Sequence, residues 1–204
     1  MNAKQLERDL SFFGGFGLSE MDQRSRRLRE SGLLPNSGRG RGAPDLTPQH
    51  AANIIIGLGA SDRADLAGAA VILYSALKPS TGESFGFAGC QTAGEMVTSL
   101  LEDHEDRYDI HSLTFCRSWP KITVTLSKSR VFEFGYNTSE NAAKAGFETL
   151  AIRQEVIFEG PVIAQIASDL HPPPEDELGG FTGGGGMTRK LEEIRAAREN
   201  TKKG

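Results

Sequence analysis

Apolar residues recur along this chain with two different periods, and the change between them orders everything else. In the first hundred residues the spacing is helical. Leu6 and Leu10 in "NAKQLERDLSFF" predict a first helix, broken by the glycines of "GGFG". A second helix follows over 19–31, with Ser19 as its cap, Asp22 completing a reciprocal cap, Leu18 as the apolar staple and Gly32 as the stop. A turn of about 100° per residue puts Met21, Ser25 and Leu28 on its core side and Gln23, Arg26, Arg27 and Glu30 on the other. Thr47 and Pro48 open a third helix with a buried stripe of Ala51, Ile54, Ile55 and Leu58. A fourth runs from Ser61 to Lys78, where Leu66, Ala70, Leu73 and Leu77 follow a heptad, a seam for a core or for a second copy. Thr92 and Glu95 form a capping box ahead of Met96, Val97, Leu100 and Leu101.

Further along, the period falls to two. "KITVTL" alternates Ile122, Val124 and Leu126 with polar residues, "RVFEFGY" does the same with Phe132, Phe134 and Tyr136, and "LAIRQEVIF" supplies a third strand. "LSKSR" is the hairpin turn between the first two. Gly160 and Pro161 introduce a last helix with Ile163, Ile166 and Leu170 on one face. From residue 172, "PPPEDELGGFTGGGG" reads as a flexible, disordered linker. Residues 187–204 form a charged tail expected to fold only against a protein partner. At 204 residues the chain holds one or two small α+β domains.

Charge changes the picture by its distribution. The net charge is −4, yet residues 1–60 carry eight Lys/Arg against six Asp/Glu. Between Arg24 and Arg41 six arginines face only Glu30. The stretch "LLPNSGRGRGAPDL" cannot be helical, since glycine and proline interrupt it, but its apolar ends can pack, so it predicts an ordered loop or a two-stranded wing. Gln23, Arg24, Arg26 and Arg27 on the helix suit base edges and phosphates, and Ser19 at its start suits a phosphate. Arg39 and Arg41, freed by flanking glycines, suit the backbone or a narrow minor groove. The competing reading is a solvated arginine face with a floppy loop, and a third is RNA binding by "GRGRG".

Other chemistry has less support. Cys90, His104, His111 and Cys116 match no metal-ligand spacing, and buried thiols with surface histidines account for them, so no metal or cofactor is expected. Ser, His and Asp residues occur outside any nucleophile motif, and the glycine run at 183 ends in no Lys-Ser/Thr pair, so no enzyme activity is expected. Trp119, Phe132, Phe134 and Tyr136 suit the core of a small sheet better than a stacking platform for single strands. No run of eighteen apolar residues exists and the charged N-terminus lacks the apolar core of a signal peptide. With two cysteines and no disulfide framework, the expectation is a cytoplasmic protein that does not enter membranes.

"FGLSEMDQRSRRLRESGLLP", followed by the glycine/arginine loop and "LTPQHAANIIIGL", resembles the winged helix-turn-helix of MerR-type regulators over roughly residues 5–60. In that family a recognition helix runs into a "GLL/P" turn, an arginine-bearing wing follows, and a capped helix comes next. Phage excisionases and some small terminase subunits share the layout. Here the wing alternates Gly and Arg where the family has an aromatic strand, and no long dimerising helix follows. The resemblance implies a winged helix-turn-helix DNA-binding domain over 1–60, an α+β oligomerisation or partner domain over 61–171, and the linker and tail over 172–204. The implied function is sequence-specific binding of double-stranded DNA by a homo-oligomer, in transcription regulation and in a phage or prophage setting. Marking a site for recombination or packaging is the alternative within DNA binding. A protein-interaction or structural module with an arginine-rich loop is the alternative outside it.

Overall fold

A helix that is apolar all round must be surrounded, and Pro48–Ala60 (α3) is such a helix. The computed structural model describes residues 1–36, 44–80, 89–102, 109–127, 130–147 and 153–171. Within it every residue of α3 from Ala51 to Ala60 is buried, well beyond the single stripe that the helical period predicts. The reason is its neighbours. Helix α1 (Ala3–Gly14) and helix α2 (Leu18–Glu30) precede it, and after a 3-10 turn at Ala64–Leu66 come α4 (Ala67–Ser75) and α5 (Ala93–Leu100). Helices α2, α4 and α5 all pack on α3. Its remaining side meets strands β1 (Ile110–Cys116) and β4 (Glu155–Glu159).

The fold is α+β. Strands β2 (Lys121–Leu126) and β3 (Val131–Gly135) complete an antiparallel sheet in the order β3-β2-β1-β4. Leu113, Phe115, Ile122, Val124, Phe134 and Phe158 share the buried face. Helix α6 (Ser139–Lys144) covers a second small cluster around Cys116 and Trp119, and α7 (Gly160–Leu170) packs on β1, β4 and α1. Trp119 and Phe134 are buried in these cores, and Phe132 and Tyr136, partly buried, pack against them. One continuous core runs from Leu6 through α3 to Ala167. Residues 1–171 are accordingly one unit, and the boundary expected at residue 60 is absent, because α3 takes its burial from elements on both sides of it.

Three expected elements differ. The helix expected over Ser61–Lys78 is shorter, and its buried residues are Ala67, Gly68, Val71 and Tyr74. Leu66 and Leu73 of the heptad stay exposed. A Cβ on Gly68 would lie 2.3 Å from the Ser31 hydroxyl, so the close approach of α4 to the end of α2 decides which side faces in. Of the expected third strand, Glu155–Phe158 lie in β4 (Glu155–Glu159), and residues 150–152 lie outside the described residues. The central strand β1 carries no clean alternation, since its register shifts between Ile110 and Ser112, and it escapes the period-two pattern. Among the described residues no helix is long and apolar enough to cross a membrane. Arg39, Arg41, His104 and the segment 172–204 lie outside the described residues.

Where α1 meets α7, one acidic group is placed at a cost. An Asp9 carboxylate oxygen is buried without a hydrogen-bond partner. Burial and the nearby Asp169 carboxylate push the Asp9 carboxyl above its usual range, against the pull of Arg8. A carboxyl with a higher pKa folded than unfolded binds protons on folding, so stability declines as pH rises from the ordinary carboxylate range through the raised value. The penalty is complete above that value. Asp9→Asn should therefore be more stable than the parent in urea titrations near neutral pH, and the gap should close at about pH 3, where the Asp9 carboxyl is protonated in the folded and the unfolded chain. An equal gap at both pH values would show that charge at Asp9 is not the source of strain.

Candidate nucleic-acid interface

The surface of interest is the outer face of α2, and its geometry starts from how the helix begins and ends. Gly17 is the N-cap, in an extended conformation with no side chain to offer, so no side-chain cap bond forms. Ser19 is therefore not the cap expected for it. It lies exposed in the first turn, and Asp22 pairs instead with Lys4 at 3.3 Å and Arg26 at 3.5 Å. Leu18, 57% exposed, is no staple. The C-terminus closes as glycine allows: Gly32 has φ 71°, its N–H donates to Arg29 O, and the Leu33 N–H donates to Leu28 O.

Periodicity then sorts the side chains. Met21, Ser25 and Leu28 are buried, while Gln23, Arg26, Arg27 and Glu30 lie toward solvent. Arg24 departs from the reading that puts it on a DNA-facing surface. It is 3% exposed, and its guanidinium donates to Gly57 O and Ser61 O at 3.0 Å each and to Glu20 at 2.7 and 3.0 Å. Those carbonyls belong to the last turn and cap of α3, where backbone acceptors lack helical partners and the helix dipole favours a cation. Arg29 also turns inward, 3.8 Å from the buried Glu7 of α1. A second arginine, Arg117 in the turn between β1 and β2, donates to Leu58 O at 2.6 Å and Gly59 O at 2.9 Å. Burial and the neighbouring Arg24 cation hold Arg117 below the usual guanidinium range.

The outward residues border a concavity of about 590 Å³ between α2 and the turn after α3. Gln23, Arg26, Arg27 and Glu30 line it from one side, and Arg63, Ala64 and Asp65 from the other. Arg27 is 2.7 Å from Glu30, and Arg63 is 2.6 Å from Asp65. Their hydrogen bond raises the Arg63 guanidinium and lowers the Asp65 carboxyl from their ordinary values. Gln23, Arg26 and Arg27 are thus brought together, with Ser19 nearer the start of the same helix. Arg63 is the residue that sequence reasoning misses. Set between Asp62 and Asp65 in "SDRAD", it reads as part of a net-acidic helix surface.

Of the residues weighed as metal ligands, Cys90 and Cys116 are buried free thiols and His111 is exposed on β1. Among the described residues no group of three His, Cys, Asp or Glu is placed to hold an ion. No family model, curated protein or solved structure matches the chain.

The two kinds of arginine should separate on mutation. Arg24→Ala leaves buried carbonyls without a donor, at about 1–3 kcal/mol per group, so the variant should lose about 2–4 kcal/mol in urea unfolding. Arg27→Ala should stay within about 0.5 kcal/mol of the parent, as an exposed ion pair allows. Equal losses in the two variants would mean that Arg24 is no interior staple.

Proposed function

We propose that this chain is a sequence-specific double-stranded DNA-binding protein that acts in transcription regulation, with α2 as the helix that enters the major groove. The observation that carries the reading is the division of α2 into a fixed side and an offered side. Met21, Leu28 and the Arg24 bonds hold one side rigidly to α3, and Gln23, Arg26 and Arg27 stand on the other. Amide and guanidinium groups match the edges of adenine and guanine, and a rigid helix presents them in register. The three-residue turn Gly15–Gly17 between α1 and α2, with Gly15 left-handed, is the kind of connection that helix-turn-helix units use. First-turn N–H groups without a side-chain cap, beside an exposed Ser19 hydroxyl, suit a phosphate.

In this reading Arg39 and Arg41, which lie outside the described residues in the connection from α2 to α3, contact the flanking DNA backbone. Support comes from the ends of that connection: Leu34 and Leu46 are buried, Asn53 Nδ2 donates to Leu33 O at 2.9 Å, and the Leu46 N–H donates to Met1 O. Exposed Leu66, Ile72 and Leu73 offer an apolar strip for a second copy, as a palindromic site would require. Two buried free thiols suit the reducing cytoplasm where such DNA lies.

One observation favours a second reading. Arg26, Arg27 and Arg63 each have an acidic partner within the chain, so the face is of mixed sign and also suits a protein partner. Selection of binding sites from a random duplex pool separates the two. The parent should enrich a defined sequence and lose affinity steeply with salt. Arg27→Ala and Gln23→Ala should melt like the parent yet relax the selected sequence at a few adjacent positions, by roughly 1–3 kcal/mol for each bidentate pair with a base that the substitution removes. Leu28→Ala, in the core, should instead cost about 2–5 kcal/mol of stability. An Arg27 variant that selects the same sites with unchanged affinity would remove α2 as the recognition helix.

A further inference from the structure

We propose that Arg63, across the concavity from Arg27, forms a subsite for one phosphodiester of the DNA strand bordering α2, and that Asp65 is a built-in competitor occupying that subsite in the free protein. The inference rests on α2 being the DNA-contacting helix.

Arg63 comes from a different element than the recognition helix, yet its backbone is held in a fixed relation to it. The Ser61 hydroxyl accepts from the Arg63 N–H at 3.1 Å and donates to the Arg63 carbonyl at 2.8 Å. Ser61 is itself buried, and its own carbonyl accepts from Arg24 of α2. The Arg63 backbone is therefore tied to α2 through Ser61 and Arg24, while its side chain stands exposed at the rim of the concavity. A charged group that must meet a ligand gains from such a pinned origin, because little is left to order on binding.

Asp65 engages Arg63 as a fork on a fork, Nε to Oδ1 at 3.1 Å and Nη2 to Oδ2 at 2.6 Å. The same two-pronged geometry holds a guanidinium to a phosphate. The Arg63 hydrogen bond lowers the Asp65 carboxyl from its ordinary range, and the Arg27 cation contributes in the same direction. Arg27 keeps its own partner, Glu30, so Asp65 is the anion that a ligand at Arg63 displaces. A phosphodiester also carries a single negative charge, so its entry replaces one anion by another, and the exposed pair that must open is weakly held. Asp65 then lowers affinity for every duplex alike, leaving α2 to decide between sequences.

The test titrates the parent, Arg63→Ala, Asp65→Asn and the double variant with a fluorescently labelled random-sequence duplex across a series of sodium chloride concentrations, beside thermal melts of each. Arg63→Ala should weaken binding and make the slope of log affinity against log salt shallower by about 0.9, one phosphate's worth. Asp65→Asn should tighten binding by up to about fivefold, and that gain should vanish once Arg63 is gone. Melting should be unchanged throughout. The subsite is overturned if the parent binds duplex and Arg63→Ala changes neither affinity nor slope. The competitor role is overturned if Asp65→Asn tightens binding equally with and without Arg63, since Asp65 would then act only as a diffuse charge. A parent that binds no duplex at any salt concentration overturns the reading of α2, and this proposal with it.

Discussion

The carboxyl end of α3 is buried, and its backbone oxygens cannot be left to water. Three of the last four carbonyls of the helix, at Gly57, Leu58 and Gly59, accept from arginine side chains brought from elsewhere, as does its cap residue Ser61. An unsatisfied buried carbonyl costs about 1–3 kcal/mol, so a helix this deep in the core is tenable only with such donors. Guanidinium is suited to the task because one planar group reaches two acceptors at once. The arrangement brings two cations together, and Glu20, held by Arg24, and Asp62 near Arg117 offset their repulsion.

From that constraint the position of the outer face of α2 follows. Arg24 ties the middle of α2 to the end of α3, Arg29 and Glu7 tie its last turn to α1, and the Gly32 turn sends the chain back toward α3. A helix held at its middle and its end has no freedom to roll. Gln23, Arg26 and Arg27 keep their direction for the same reason that Leu28 stays in the core. Two of the arginines that make this segment basic are thereby committed to holding it, and Arg26 and Arg27, left outside, carry exposed ion pairs that contribute little to stability.

The sheet contributes indirectly. Its buried face closes one side of α3, and Arg117 leaves the hairpin between β1 and β2 to reach that helix. Tyr74 of α4 donates to Cys116 O at 2.7 Å, joining the helical layer to the end of β1. What resembles a separable DNA-binding module in sequence is therefore completed by residues from the second half of the chain, which explains a single core across residues 1–171.

The sequence alone determined what depends on near neighbours. The two sides of α2, the stop at Gly32, the start of α3 at Thr47 and Pro48 and the alternation in β2 and β3 are set by spacings of a few residues, and they are legible there. Tertiary structure alone decided which arginines face in. Arg24 and Arg26 are equivalent in composition, but Arg24 meets a carbonyl 33 residues away, and Arg117 meets one 58 residues away. The same holds for the burial of all of α3, for β1 with its shifted register, and for Arg63, which joins Gln23 and Arg27 only because the turn after α3 folds back beside α2. Local patterns set the torsions and faces of each element, but the partner of a buried polar group is chosen by packing between segments far apart in the chain.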